Sequence, residues 1–147
     1  MRGLVQRVSG ASVCVDGAVS ASIGRGIVLL LCVERGDTES DLEYILRKVI
    51  NLRGFDDTNG KMNLSLRDVD GSLLVVSQFT LASDCRKGNR PSFDMAAPPE
   101  MANELYERFI ARARQEGVQT LSGVFAAYMQ VTLTNDGPVT FMIESRQ

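Results

Sequence analysis

The sequence predicts one α/β domain over residues 1–147: a mixed, barrel-like β core with two helices packed on one face. Three observations predict it. Apolar stretches with strand character stand at both ends of the chain, two central stretches repeat apolar residues at helical spacing, and no Pro-, Gly- or Ser-rich linker divides the chain. About 44% of the residues are hydrophobic, enough for a core that needs no disulfide or structural metal.

The elements follow in order. Residues 4–8 and 11–16 read as two short strands. The second forms a hairpin with residues 19–23 around Asp16-Gly17, a dipeptide suited to a two-residue turn. Residues 27–33 are apolar at both parities, as expected of a central strand covered on both faces. Asp37-Thr38 starts a helix, with Asp41 spaced for a near-capping box. Leu42, Ile45, Leu46, Val49 and Ile50 share one face of it, and Glu43 and Arg47 are spaced to pair on the other. Residues 56–60 make a polar turn, 62–66 a short strand, and Asp70-Gly71 a tight turn into a second buried strand, 73–79. Residues 82–99 form a long loop holding three of the four prolines, and loops of that length are functional or disordered. Pro98-Pro99 opens a second helix, 100–116, which buries Leu105, Phe109, Ile110 and Ala113 and ends at Gly117. Residues 124–134 read as a long strand. Asn135-Asp136-Gly137-Pro138 then reads as a hairpin turn into a last strand, 139–143.

Composition narrows the chemistry. There is no histidine, so no His-based catalytic triad and no His-containing zinc site can form within one chain. The three cysteines, Cys14, Cys32 and Cys85, include no CxxC pair, which suits a reducing cytosol and argues against a metal cluster or disulfide frame. No metal or cofactor is expected. The amino-terminal residues lack the apolar core of a signal peptide, and the run 27–33 is far too short to span a bilayer. A cytoplasmic protein is the expectation. Net charge is −2, unlike a protein that holds duplex DNA by general charge attraction, so no DNA partner is expected. Gly24-Arg25-Gly26 has Leu29 where a dinucleotide loop needs glycine, and Ser77 has Val75 and Phe79 where a nucleophile elbow needs glycines.

Two segments remain. Ser77-Gln78-Phe79-Thr80-Leu81-Ala82 gathers hydroxyls, an amide and backbone N–H groups at the end of a buried strand, where α/β domains tend to place sites. Read locally, Ser77 and Thr80 only satisfy strand-end groups while Phe79 packs in the core. Asn135-Asp136-Gly137-Pro138-Val139-Thr140 is, read locally, a plain turn, although a cis bond costs only about 0.5–1 kcal/mol before proline.

Together with Gln6-Arg7-Val8, Ala11-Ser12-Val13, Gly60-Lys61-Met62-Asn63 and Arg90-Pro91-Ser92-Phe93, these segments closely resemble the D-aminoacyl-tRNA deacylase family. The likeness runs in family order from the first strand to the last. It implies hydrolysis of D-aminoacyl-tRNA, and of mischarged glycyl-tRNA, by a homodimer that acts on the acceptor end of tRNA. It implies that Ser77, Gln78, Phe79 and Thr80 line the catalytic pocket. It further implies that a cis Gly137–Pro138 turn enters that pocket from the partner subunit and rejects L-aminoacyl substrates, with Arg7 supporting the Gly-Pro turn of the partner. The tRNA 2′-OH would assist the attacking water, which fits a chain without histidine. Arg86, Lys87 and Arg90 are candidate contacts to tRNA phosphates. Phe125 and Met129 are assigned to the core. The competing readings are an editing module of a threonyl-tRNA synthetase, disfavoured because no synthetase region follows, and a non-catalytic module that binds the tRNA end.

Overall fold

The computed structural model describes residues 1–146. One continuous strand, β1 (Arg2–Val15), replaces the two short strands expected at the start of the chain. Its first half pairs antiparallel with β3 (Gly26–Cys32), and its second half pairs with β2 (Ala18–Ile23). A strand that serves two neighbours in succession needs no break between its halves. The intervening turn forms as expected, with Asp16 at φ 50° and Gly17 at φ 77°.

Strand β3 runs parallel to β6 (Ser72–Ser77), and β6 runs parallel to β7 (Thr120–Ser122). The remaining long strand, β8 (Gln130–Glu144), pairs antiparallel with β1 along most of its length. The two shortest strands, β4 (Phe55–Asp56) and β5 (Met62–Leu64), form a separate small hairpin. Helix α1 spans Glu39–Asn51 and helix α2 spans Pro99–Gln115.

The two-parity pattern of β3 and β6 is explained by two cores. Ile27, Leu29, Leu31, Leu73 and Val75 face the helices, where Leu42, Ile45, Val49, Phe109 and Ile110 meet them. Val28, Leu74 and Val76 face the other way, against Val8, Ala11, Val13, Ala21 and Ile23 from β1 and β2. The sheet therefore curls over its own second face into a nearly closed, barrel-like core, and both helices cover one side. Among the described residues no helix is long and apolar enough to cross a membrane.

The start of α1 belongs to a buried charge cluster. The Asp37 carboxylate, with no exposed side-chain surface, accepts from the Met1 ammonium at 2.6 Å and pairs with Arg146 at 3.0 Å. Asp41 accepts from the Thr38 amide at 2.8 Å, as the capping pattern predicts, and from the Ser145 hydroxyl at 2.7 Å. This cluster ties the end of β8 to the start of α1.

Three expectations need correction. Residues 124–134 are not a single strand: β8 begins only at Gln130, and the short β7 precedes a non-strand segment. Asn135-Asp136-Gly137-Pro138 is not a turn between two strands. Val8 opposes Asn135 and Gln6 opposes Thr140, so residues 136–139 bulge out of one strand whose two halves share the same partner. Finally, Glu43 does not pair with Arg47. Its carboxylate receives Arg112 of α2 at 2.7 Å, because the packing of the helices places a guanidinium closer than the helix's own next turn does.

Candidate active site

Strand β6 ends at Ser77, and the chain turns sharply into a 3-10 turn at Phe79–Ala82. The Gln78 amide still bonds Leu31 O at 2.8 Å, which holds the exit point against β3. The first hydrogen bond of the turn runs from Leu81 N to Gln78 O at 3.3 Å. The Phe79 and Thr80 amides precede it and find no backbone acceptor among the described residues.

A cavity of about 300 Å³ opens here. Ser77 and Phe79 form one side and Val33, Ala97 and Ala102 another, while Phe125, Ala126 and Met129 come over from the segment before β8. Its size falls within the usual range of ligand sites. Phe79 is 56% exposed, so it is not a core residue; its ring meets Phe93 edge-on at 5.1 Å. Phe93 lies in the proline-rich loop, which the contact draws up to the cavity. Phe125 and Met129 were expected in the core. They do pack against it, but they also line the cavity, because the segment between β7 and β8 folds across the strand ends.

Thr80 is exposed, and its hydroxyl accepts from Gln78 Nε2 at 2.5 Å. An amide donor cannot take a proton from that hydroxyl, and no carboxylate or lysine reaches it among the described residues. Cys32 Sγ lies 3.6 Å from Phe79 O, but burial first, and Glu34 next, push its thiol up to about 11. It is an inert neighbour at neutral pH. No cluster of ligating side chains that could hold a metal is found among the described residues.

Gly137 and Pro138 stand elsewhere. They are exposed, and the bond between them is cis. They sit level with Arg7, hence with Ile27 and Leu73, three strands across and four residues down from Ser77. At ~4.8 Å per strand and ~3.3 Å per residue, that is about 20 Å from the cavity of the same chain. Arg7 braces the bulge from within its own chain: Nε donates to Asp136 O at 2.9 Å and Nη1 to Gly54 O at 3.0 Å.

The basic loop is less cationic than it reads. Arg86 is paired with Asp84 at 2.6 Å, and that guanidinium holds the Asp84 carboxyl down at about 2. Lys87 and Arg90 are exposed and do not touch the cavity. The turn aspartates behave as turn residues: Asp57 accepts from the Asn59 and Lys61 amides, and Asp68 from the Ser65 amide.

Fold and site together define a small α/β protein with an apolar cavity at the end of its parallel strands, lined by Ser77 and Phe79 but not by Gln78 or Thr80, and by no carboxylate, lysine or arginine among the described residues. The family model for D-Tyr-tRNA(Tyr) deacylase matches residues 4–144. A D-aminoacyl-tRNA deacylase of Fervidobacterium nodosum is 55% identical over 147 residues, covering 100% of this chain and 99% of the relative. Among solved structures, a c-Myc DNA unwinding element binding protein superposes with a TM-score of 0.94 at 44% identity, each chain covered fully. A probable eukaryotic D-amino acid tRNA deacylase has the same fold, with a TM-score of 0.81 at 18% identity over 97% of this chain and 98% of that one. The chain belongs to the D-aminoacyl-tRNA deacylase family, a family of hydrolases.

Proposed function

We propose that this chain hydrolyses the ester between a D-amino acid and the terminal ribose of tRNA, and likewise clears glycyl-tRNA, as a cytoplasmic homodimer. Water attacks the ester carbonyl, the bond to the ribose oxygen breaks, and that oxygen takes the proton. Free amino acid and tRNA are released. The amides of Phe79, which lines the cavity, and of the adjacent Thr80 find no acceptor among the described residues and are suited to hold the oxyanion. With no base bonded to Thr80 among the described residues, the 2′-OH of the terminal ribose helps to activate the water, and the protein contributes position.

The observation that carries this reading is the register that sets Gly137–Pro138 level with Arg7, three strands across and four residues down from Ser77 of the same chain. The bulge is exposed and braced by Arg7. In a dimer it enters the cavity of the second subunit and stands against the substrate Cα. A hydrogen fits on that side, whereas an L side chain collides. Strand β8 supports the dimer: among the described residues it pairs only with β1, which leaves its other edge open, and Val131 and Met142 are exposed along it.

The chemistry is tested with D-Tyr-tRNA ending in a 2′-deoxy ribose and with Thr80→Ala. Loss of turnover on the deoxy substrate, with Thr80→Ala still active, is expected. Abolished turnover in Thr80→Ala with substrate binding intact would contradict the substrate-assisted route. The alternative of a non-catalytic tRNA-end binder predicts binding of uncharged tRNA and no release of amino acid. The DNA-binding name of one structural neighbour makes a DNA duplex the proper control in such binding experiments.

A further inference from the structure

Resting on the deacylase reading above, we propose that a cationic cleft at the end of α1 holds phosphates of the tRNA acceptor arm whose terminal ester lies in the other subunit's cavity. The cleft, about 450 Å³, is lined by Arg47, Lys48, Asn51, Leu52 and Arg53. Three of these five are cations and none is a carboxylate. Most other arginines on the helical side are paired: Arg108 with Glu39 and Glu104, Arg112 with Glu43, Arg67 with Glu116. Because Glu43 goes to Arg112, Arg47 has no carboxylate within ion-pair distance among the described residues, and Lys48 has none either. Both lie over the Tyr44 ring, at 5.9 and 5.5 Å from its centre. Arg53 is oriented by a bond from Nε to Asn63 O at 3.0 Å, and its charge is felt by Asp57 and Asp68. Its terminal nitrogens have no bonded partner among the described residues and suit a phosphate fork.

The cleft is joined to the bulge. The residue after Arg53 is Gly54, whose carbonyl accepts from Arg7, and the same Arg7 holds Asp136 O. The subunit that lends Gly137–Pro138 to a foreign cavity therefore brings Arg47, Lys48 and Arg53 to that cavity's mouth. Arg86, in the loop beside the chain's own cavity, is already neutralised by Asp84. A cation near a helix C-terminus also complements the helix dipole, so the test must separate binding from helix stability.

The test compares the parent with Arg47→Ala/Lys48→Ala/Arg53→Ala on two substrates: full D-Tyr-tRNA, and D-tyrosyl-adenosine ester, which has no acceptor arm. The expected result is a rise of about 10-fold or more in KM for the tRNA, a shallower salt dependence by about two to three phosphate contacts, and less than a twofold change on the adenosine ester. Equal losses on both substrates, or none on either, would overturn the proposal. If the parent hydrolyses neither substrate, the deacylase reading has failed. Filter binding of uncharged tRNA then decides the cleft alone: retained affinity in the triple variant overturns it, and lost affinity supports it. An equal loss of affinity for a DNA hairpin of the same stem sequence would overturn it in favour of a duplex-DNA site. Mixed dimers with a chain whose cavity is blocked by Ala102→Trp test the trans arrangement. A triple-variant cavity beside a blocked but cationic partner should keep the parent KM, and a raised KM there would overturn the trans assignment.

Discussion

Arg7 Nε lies 2.9 Å from the carbonyl oxygen of Asp136, the residue immediately before Gly137. The Arg7 side chain is only 11% exposed, so the exposed bulge in β8 is anchored by a nearly buried guanidinium that also grips Gly54.

Arg7→Ala should loosen that bulge. Each lost bond to a charged donor is worth about 1.5–3 kcal/mol, and the bulge has no backbone partner on β1 to replace it. The D-to-L ratio of deacylation rates should fall by about 10-fold or more, equivalent to about 1.4 kcal/mol. An unchanged ratio in a folded variant would show that the bracing does not matter to selectivity.

Gly137→Ala should act at the bulge itself. Gly137 has φ +139°, and an added Cβ would lie 2.7 Å from Val139 Cγ2 and 3.0 Å from Val139 N. Strain of about 1–3 kcal/mol there should lower stability by up to that amount, a shift of a few °C in Tm, and the displaced bulge should cost activity about 10-fold. Calorimetry beside single-turnover hydrolysis separates the two.

How much of this was legible in the sequence depends on where the partner residues lie. Both helices, the first hairpin and the doubly covered strand follow from spacing alone. The split of β8 into two strands does not survive, because no local pattern reveals that both halves face β1. Glu43 and Arg47 have the right helical spacing, but Arg112 is 69 residues from Glu43 and wins by packing. The missed β7 has three residues, too few for any period to show. Phe125 and Met129 reach the cavity only because the segment before β8 folds back. The lack of strand alternation from Val124 to Met129 was the available signal. The segment 77–80 was identifiable, but its separation from Gly137 needed the sheet register.

Asp37→Ala should be among the most destabilising substitutions. Its carboxylate is fully buried between the Met1 ammonium and Arg146, and the Glu34 amide donates to it at 2.6 Å. Removing one partner of a buried pair costs about 3–5 kcal/mol. Urea unfolding measures it, and a loss below about 1 kcal/mol would contradict the role given to this cluster.

Asp41 predicts the acid limb of stability. Burial raises its carboxyl, but hydrogen bonds from Ser145, Thr38 and Arg146 outweigh burial and hold it well below the usual range. A folded value below the unfolded one, about 3.9, adds stability that is complete above that pH and lost as pH falls through the folded value. Asp41→Asn should therefore weaken the protein at pH 7 and converge with the parent as the acid is increased. A constant difference across that window would place its effect outside ionisation.

The most direct test of the account is amino acid release from matched D-Tyr-tRNA and L-Tyr-tRNA, with and without a chelator. Fast release from the D substrate, negligible release from the L substrate and no effect of chelator are expected. Equal release from both would contradict the role of Gly137–Pro138, and release from neither would contradict the hydrolase reading itself.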